Sequence, residues 1–519
     1  MKARVARSAL RVGLLLVFAA VVLRTAWLCD DAYITFRTID NFNNGYGLRW
    51  NVAERVQVFT HPLWMFVLSA VYRYTHEVYF STVLVSLCAS AAAFGVLLFG
   101  VARTTSTALI AGSALVLSKS FTEFSTSGLE NPLTHLLLAS FFAILVRSDP
   151  RPPPLGWLAL SAGLAASTRM DTLLLYLPVL ALVWWRGPRV RGAGALALGF
   201  LPFLLWELFA LLYYGFPFPN TAYAKLQTGV SRPELIVQGL RYLADSLRVD
   251  PLTPLCIVLA AMATLWRRSA AMVAGLAGLL CYLAYTVAVG GDFMSGRFLS
   301  PVVFGAALLI SRLEPPRIGR AVFAAGAAAL LVTGLAAQAY RAWMGERLAV
   351  VNAAGIADER RGYDEHLGLL QVLQRDGPPR HPWAQKGLEL RASDEPVLQI
   401  AGGVGLLGFY AGPLAHVLDV HGVGDPFLAR LPAKAGWRIG HFVREPRIDY
   451  IDSLRSGTNR IVDPDVARYC DKLFLITRGA LFDPQRLGAI VAFNLGLYDH
   501  LLDDYLARKA VREEGPRGR

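Results

Sequence analysis

The chain has 519 residues, of which 55% are hydrophobic and only 17% charged, with a mean hydropathy of +0.43. Soluble domains average about 45–50% apolar and about 25% charged residues, so the composition excludes a disordered chain and argues against a cytosolic enzyme. The formal charge of +13 and the pI near 9.6 do not by themselves require nucleic acid. In an apolar chain, basic residues belong first to the loops that orient membrane spans.

Lys2, Arg4, Arg7 and Arg11 precede an apolar run from Val12 to Trp27. No small-x-small cleavage site follows it and further apolar runs do, so it is predicted to remain as a first transmembrane helix, N-terminus in the cytoplasm. Crossing the hydrocarbon takes about 20 apolar residues. Candidates centre on 10–28, 79–102, 106–121, 130–146, 155–170, 171–186, 194–214, 253–268, 270–289, 298–312 and 320–341. A shorter stretch, Pro62 to Tyr74, sets the topology of everything after it. If it does not cross, the cytoplasmic loops hold Arg103, then Arg147 and Arg151, then Arg186, Arg189 and Arg191, then Arg267 and Arg268, and finally Arg312, Arg317 and Arg320. Every short inside loop then carries a positive charge. The expectation is eleven spans, with the N-terminus inside and the C-terminus outside.

That topology brings Asp30-Asp31, Gly128-Leu-Glu130-Asn131, Arg169-Met-Asp171, the loop from Tyr213 to Asp250 and Gly290 to Arg297 to one outer face. Charges at membrane depth are costly and usually line a functional cavity. Past about residue 341 the composition turns mixed and polar. Strands are predicted at Glu395 to Gly405 and Ala415 to Val420, and helices over 363–375 and 484–508. The expected organisation is a mostly α polytopic membrane domain over 1–343, with a first external loop at 29–78. An extracytoplasmic α/β domain over 344–511 and a disordered tail over 512–519 complete it. The five cysteines have neither pairing nor metal-ligand spacing. Cys88, Cys256 and Cys281 lie in apolar runs where a buried thiol is expected, and a Cys29–Cys470 bridge is not favoured.

The strongest chemical signal is Asp30-Asp31-Ala-Tyr33-Ile-Thr-Phe36-Arg37, directly after the first span. On a helix, Asp30 and Arg37 share a face about 10 Å apart in rise, suited to gripping a substrate between them. The plainer reading is a helix N-cap with a solvated acid and a snorkelling arginine. Further on stand Asn43-Asn-Gly-Tyr-Gly47, Asn51 with Glu54-Arg55-Val56, and Thr60-His61-Pro62-Leu63-Trp64. Glu130 either caps the span it opens or binds an acceptor. Arg169 and Asp171 bracket a tight turn in which they can pair with each other. Asp292 and Arg297 sit in a Gly-rich loop where the backbone can approach a ligand closely. Tyr213 to Tyr223 reads as an interfacial aromatic belt. Gly402-Gly-Val-Gly405 lacks the dinucleotide fingerprint, and no P-loop, zinc ligand set or nucleophile elbow occurs. Asp30-Asp31 leaves a divalent cation as an open question, since no third ligand is evident.

The series DDAYITFR, N-x2-G-x-G, N-x2-E-R-V and T-x-P-L-W resembles the first external loop of GT-C-fold membrane glycosyltransferases. Within them it looks most like the bacterial terminal arabinofuranosyltransferase-like branch. Glu130, Arg169-x-Asp171, GGDFMSGRFLSP at 290–301, Asp419-x2-Gly422-x-Gly-Asp425-Pro426 and Trp437-Arg-Ile-Gly-His441 resemble further blocks of that branch. Val58-Phe59 and His421 depart from it. The resemblance implies a GT-C-like fold of about eleven transmembrane helices in the inner membrane. It also implies a polyprenyl-phosphate sugar donor, such as decaprenyl-phosphate-arabinose, and transfer of arabinofuranose to a cell-envelope glycan or glycoprotein outside. An acid of the first loop would act as base, Asp30 rather than Asp31, or as nucleophile if configuration is retained. Arg37, His61, Lys225 and Arg297 are the candidates for the donor phosphate, and Lys225 reads equally well as an interfacial anchor. Glu130, Asp171, Asp292, Asp419, Asp425, Arg438 and His441 are the candidates for the sugar and acceptor. Transfer of mannose or another sugar by the same fold is the nearest alternative. A lipid-linked-sugar flippase is the rival of another class, but no inverted repeat is visible and the charges gather at one face.

Overall fold

The computed structural model describes residues 2–148, 152–267, 269–313, 319–345, 349–393 and 395–514. The chain is mostly helical, and each of the predicted spans coincides with an apolar helix. Five helices are long and apolar enough to cross a membrane: Val5–Arg24, Tyr79–Val101, Arg189–Tyr213, Ala270–Ala288 and Ala321–Met344. The pair Arg232–Val249 and Leu252–Trp266, bent by 100° at Asp250-Pro251, counts as a further one if taken together. The remaining apolar helices, Thr105–Leu117, Asn131–Arg147, Leu155–Thr168, Leu177–Arg186 and Ser300–Ile310, are shorter. Pro62–Thr75 is a helix that starts beside the site described below.

The membrane-type helices share one apolar core, in which Phe18, Phe94, Phe121, Phe141 and Phe304 are fully or nearly fully buried. Small residues bring backbones into contact. A Cβ on Gly199 would stand 2.4 Å from that of Ala159 and one on Gly163 2.8 Å from the Gly199 carbonyl oxygen, so Leu155–Thr168 and Arg189–Tyr213 pack at backbone distance. At the end of the helices away from the site, Arg312 donates to the Val101 carbonyl (3.0 Å) and the Arg103 amide to that of Ser311 (3.0 Å). Two of the predicted arginine-bearing loops therefore lie side by side. Arg151, Arg268 and Arg317 fall outside the described residues.

The region after Met344 has both predicted strands and is otherwise mostly helical. Among the described residues it holds two short parallel strands, β1 (Val397–Ala401) and β2 (Ala415–Asp419), paired from Val397–Ala415 to Ala401–Asp419. They are joined by the helix Gly405–Ala411, and helices make up most of the rest. The predicted helix 363–375 begins earlier, as Glu359–Leu367, and that over 484–508 is broken into Pro484–Asn494 and Asp499–Glu514. The last of these is helical through 514, inside the stretch expected to be a disordered tail, and 515–519 lie outside the described residues. This region does not build its cores alone. Trp27 at the end of the first span and Tyr33, Phe36, Trp50 and Trp64 of the first loop pack with Leu406, Leu407 and Val417, and Phe216 packs with Leu418, Phe427, Tyr450 and Leu473. Buried arginines fasten the join. Arg486 donates to the carbonyls of Leu212 (2.9 Å) and Tyr213 (2.9 Å) at the end of a membrane helix. All five cysteines are free. Cys29, Cys256 and Cys470 are buried, whereas Cys88 and Cys281 are exposed, on helix faces turned away from the protein.

Candidate active site

A cavity of about 780 Å³ opens where the first loop, the ends of several membrane helices and the C-terminal region meet. Asp30 and Asp31 begin the helix Asp30–Asn43, and both line the cavity. Their surroundings differ. Asp30 accepts hydrogen bonds from the backbone N–H groups of Leu406 (2.7 Å) and Gly405 (3.1 Å), one on each oxygen. A Cβ on Gly405 would come within 1.9 Å of the Asp30 carbonyl oxygen, so only glycine allows this approach. Burial pushes the Asp30 carboxyl up to about 7; the two N–H groups oppose the shift, and the charges of Asp31 and Asp419 add to it. The Asp31 carboxylate has no hydrogen-bond or ion-pair partner among the described residues. Its pKa is raised by burial, with Lys225 and Arg297 pulling the other way. Both acids line the cavity, but the Asp30 oxygens are occupied by backbone donors and those of Asp31 are not.

Arg37 is not part of the cavity. Nearly fully buried, it donates to the carbonyls of Trp50 (2.7 Å), Gly408 (2.9 Å) and Ala415 (2.5 Å) and lies over the Trp50 ring. It shares a face with Asp30, as the spacing predicts, but that face is packed on the helix Gly405–Ala411. Its role as a phosphate ligand is corrected to that of an internal clamp.

Glu130 also lies behind the cavity wall, fully buried, and is the hub of the cationic side of the site. Its Oε2 meets His61 Nδ1 at 3.1 Å, and its Oε1 meets Arg169 and Arg297 at 3.2 Å each. It positions the groups that face the cavity and does not itself reach an acceptor. His61 completes its contacts through Nε2 to Thr35 Oγ1 at 2.9 Å. Arg169 forms a bidentate pair with Asp171 (Nε–Oδ1 2.8 Å) and lies over Phe298. Arg297 approaches Asp292 at 3.6 Å, while its buried Nε has no hydrogen-bond partner. His61, Arg169, Asp171, Asp292 and Arg297 all line the cavity.

Lys225 lines the cavity too, with its ammonium 5.5 Å from the Phe293 ring and no carboxylate in ion-pair range among the described residues. Arg438 (5.9 Å) and His441 (4.4 Å between ring centroids) gather around the same Phe293 ring, and Asp419 also lines the cavity. Asp419 is held by the N–H groups of His421 (2.8 Å), Val423 (2.6 Å) and Gly424 (3.1 Å), so it shapes the turn at the cavity edge. Arg438 donates to the Gly355 carbonyl (2.7 Å). Burial, then Arg438, His421 and Lys225, push the His441 imidazole down to about 3, so it is neutral. Asp425 is not at the cavity. It caps a short turn through Phe427 and Leu428 N–H (2.9 and 2.7 Å) and takes the Tyr450 hydroxyl (2.7 Å), which corrects its assignment to acceptor binding.

Several cavity residues are not signalled by any sequence motif. Glu359, Tyr363 and Trp383 come from the segment that crosses back over the first loop, and Gln57 lies buried with its Oε1 unpartnered. Glu207 does carry a signal that the sequence reading passes over, an acid inside the apolar run 194–214. With Trp206, Phe218, Leu226 and Val289 it lines the part of the cavity on the membrane-helix side. Among the described residues, no three His, Cys, Asp or Glu side chains come together as a metal site.

No family model matches the chain. It is 28% identical over 408 residues to the terminal beta-(1->2)-arabinofuranosyltransferase of Mycobacterium tuberculosis, a match taking in 67% of this chain and 64% of the relative. The resemblance to that branch is borne out. A second relative of the same description, from Corynebacterium glutamicum, is 26% identical over 336 residues, covering 55% of this chain and 48% of its own. The chain thus matches less than two thirds of the length of either relative. Among solved structures it is similar to ArnT from Cupriavidus metallidurans bound to undecaprenyl phosphate, at a TM-score of 0.46 and 15% identity, covering 82% of this chain and 78% of that one.

Proposed function

We propose that the protein is a membrane glycosyltransferase that moves a sugar from a polyprenyl-phosphate donor to a hydroxyl of a cell-envelope glycan or glycoprotein on the outer face of the inner membrane. The sugar is taken to be arabinofuranose, after the relatives' names. One observation carries the reading. The cavity sets Asp31, a carboxylate without a partner among the described residues, against Lys225 and Arg297, and on its membrane side Trp206, Phe218, Leu226 and Val289 surround Glu207.

Asp31 accepts the proton of the acceptor hydroxyl as its oxygen bonds to the anomeric carbon. The bond from that carbon to the phosphate oxygen breaks, and the phosphate leaves with the electron pair and one more negative charge. Lys225, which has no ion-pair partner among the described residues, and Arg297, aimed by Glu130, stabilise that charge. Donors held in place before the reaction need no reorganisation as charge develops, and the buried triad around Glu130 supplies that rigidity. Asp30 fixes the start of its helix and so aims Asp31.

The test is transfer by the full chain reconstituted in liposomes, with decaprenyl-phosphoryl arabinose as donor and a synthetic arabinofuranoside as acceptor. Transfer that is lost in Asp31→Asn supports the reading. Wild-type protein that transfers no sugar from any polyprenyl-phosphate donor, yet moves a labelled lipid-linked sugar across the bilayer, establishes the flippase instead.

A further inference from the structure

Glu359 has no counterpart among the motifs of the first loop, yet it lies in the cavity with a carboxyl that makes no hydrogen bond or ion pair among the described residues. Its neighbours explain why it points there. Asp358 is tied to Lys119 (2.9 Å), and it caps the helix Glu359–Leu367 through Arg361 N–H. On the other side, Arg360 donates to the Thr25 carbonyl (3.0 Å) and to Asp364 (3.1 Å). Just before them, Ala357 exchanges backbone hydrogen bonds with the Gly-rich loop, from its N–H to the Phe293 carbonyl (2.6 Å) and from Ser295 N–H to its own carbonyl (2.9 Å). The strap is thus pinned on both sides of a single residue whose side chain is left over.

Besides burial, the charged groups that act on Glu359 are Asp31 above all, then Arg438, Asp30 and Asp292. One helical turn on, Tyr363 also lines the cavity, and its hydroxyl makes no hydrogen bond among the described residues. Beside them stands the Trp383 indole, against which the chain at Gly403 lies so closely that a Cβ there would fall 2.3 Å from the ring. A carboxyl, a phenol and an indole on one wall suit a ligand with several hydroxyls and one apolar face. The same wall has little to offer an anionic ligand, since the groups around Glu359 are the carboxyls of Asp31, Asp30 and Asp292 with Arg438 as the one cation among them.

Resting on the proposed transferase reading, we infer that Glu359, with Tyr363 and Trp383, forms the acceptor-recognition wall. Glu359 holds a hydroxyl next to the one that reacts at Asp31, and the wall selects an uncharged sugar over a phosphorylated acceptor. The wall acts on acceptor and leaves the donor site, at Lys225 and Arg297, untouched.

The test uses the full chain in liposomes and measures acceptor KM, donor KM and donor hydrolysis without acceptor, for wild type, Glu359→Ala, Glu359→Gln and Tyr363→Phe. A hydrogen bond to a carboxylate corresponds to roughly a tenfold to hundredfold change in affinity. Glu359→Ala is expected to raise acceptor KM by about that factor, Glu359→Gln and Tyr363→Phe by less, with donor KM and hydrolysis unchanged. Saturation-transfer NMR with methyl arabinofuranoside, and with its phosphorylated analogue, reads the same contact without turnover; the neutral sugar is expected to bind wild type and to lose its signal in Glu359→Ala. Unchanged acceptor KM and an unchanged NMR signal in Glu359→Ala overturn the inference, as does equal binding of the phosphorylated sugar. A protein that binds methyl arabinofuranoside through Glu359 but neither transfers nor hydrolyses any donor overturns the transferase reading and leaves the wall standing.

Discussion

Asp31→Asn is the perturbation that separates the two acids. The Asp31 carboxylate has no hydrogen-bond or ion-pair partner among the described residues to lose, so its amide should fold as the wild type does, with thermal stability unchanged or slightly raised by removal of a charge from a half-buried place. Its catalytic cost should be large. A general base contributes about 10²–10⁴ in rate, or roughly 3–5 kcal/mol of barrier. Asp30→Asn reverses the pattern. An amide offers one acceptor oxygen where the carboxylate offers two, so one of the N–H groups of Gly405 and Leu406 is left facing an NH₂ group. An unsatisfied buried donor costs about 1–3 kcal/mol, and the damage falls on the docking of the helix Gly405–Ala411. The assay pairs transfer in liposomes with thermal unfolding of both variants. Asp31→Asn retaining transfer within threefold, while Asp30→Asn abolishes it at an unchanged melting temperature, refutes the assignment and makes Asp30 the base.

Lys225→Met should raise donor KM with acceptor KM unchanged, whereas Arg37→Met, remote from the cavity, should lower the melting temperature and leave donor KM alone; steady-state kinetics on both distinguishes ligand from clamp. Glu130→Gln removes the one carboxylate shared by His61, Arg169 and Arg297, and breaking such a buried network costs about 3–5 kcal/mol; a large drop in melting temperature and a loss of transfer are expected together. The pH dependence of stability has a definite sign. Asp30 and Asp425, pushed up to about 7, and Glu359, at about 8, hold protons in the folded chain at pH values where the unfolded chain has released them. Stability is therefore expected to fall as pH rises from about 5 to about 8, and melting temperatures in detergent across that range check it.

The membrane helices were legible because hydrophobicity is a local property: a run such as 79–102 declares itself without reference to any other segment. The acids of the first loop were legible as chemistry, but not in their division of labour. Which of Asp30 and Asp31 keeps a free carboxylate is decided by Gly405, 375 residues away from Asp30. Arg37 shows the same limit, since helical spacing gave its face correctly and could not say that carbonyls of Gly408 and Ala415 occupy that face. Glu359 left no local trace because only the pairs made by Asp358 and Arg360 turn it inward. The reduced strand content of the C-terminal region has a related cause. Its apolar residues find their partners in Trp27, Trp50 and Phe216, so no larger sheet is needed to bury them.

That shared core also constrains how the protein is made. Trp27, Tyr33, Phe36 and Trp50 leave the ribosome long before Leu406, Leu407 and Val417 exist, and until then half of a core waits without its other half. The first loop should be a chaperone client during synthesis, and the acid pair should be disordered in any nascent chain that stops short of Gly405. The same mutual dependence means that residues 344–511, expressed alone, would present to water the apolar surface that the first loop normally covers, and would aggregate instead of yielding a soluble domain.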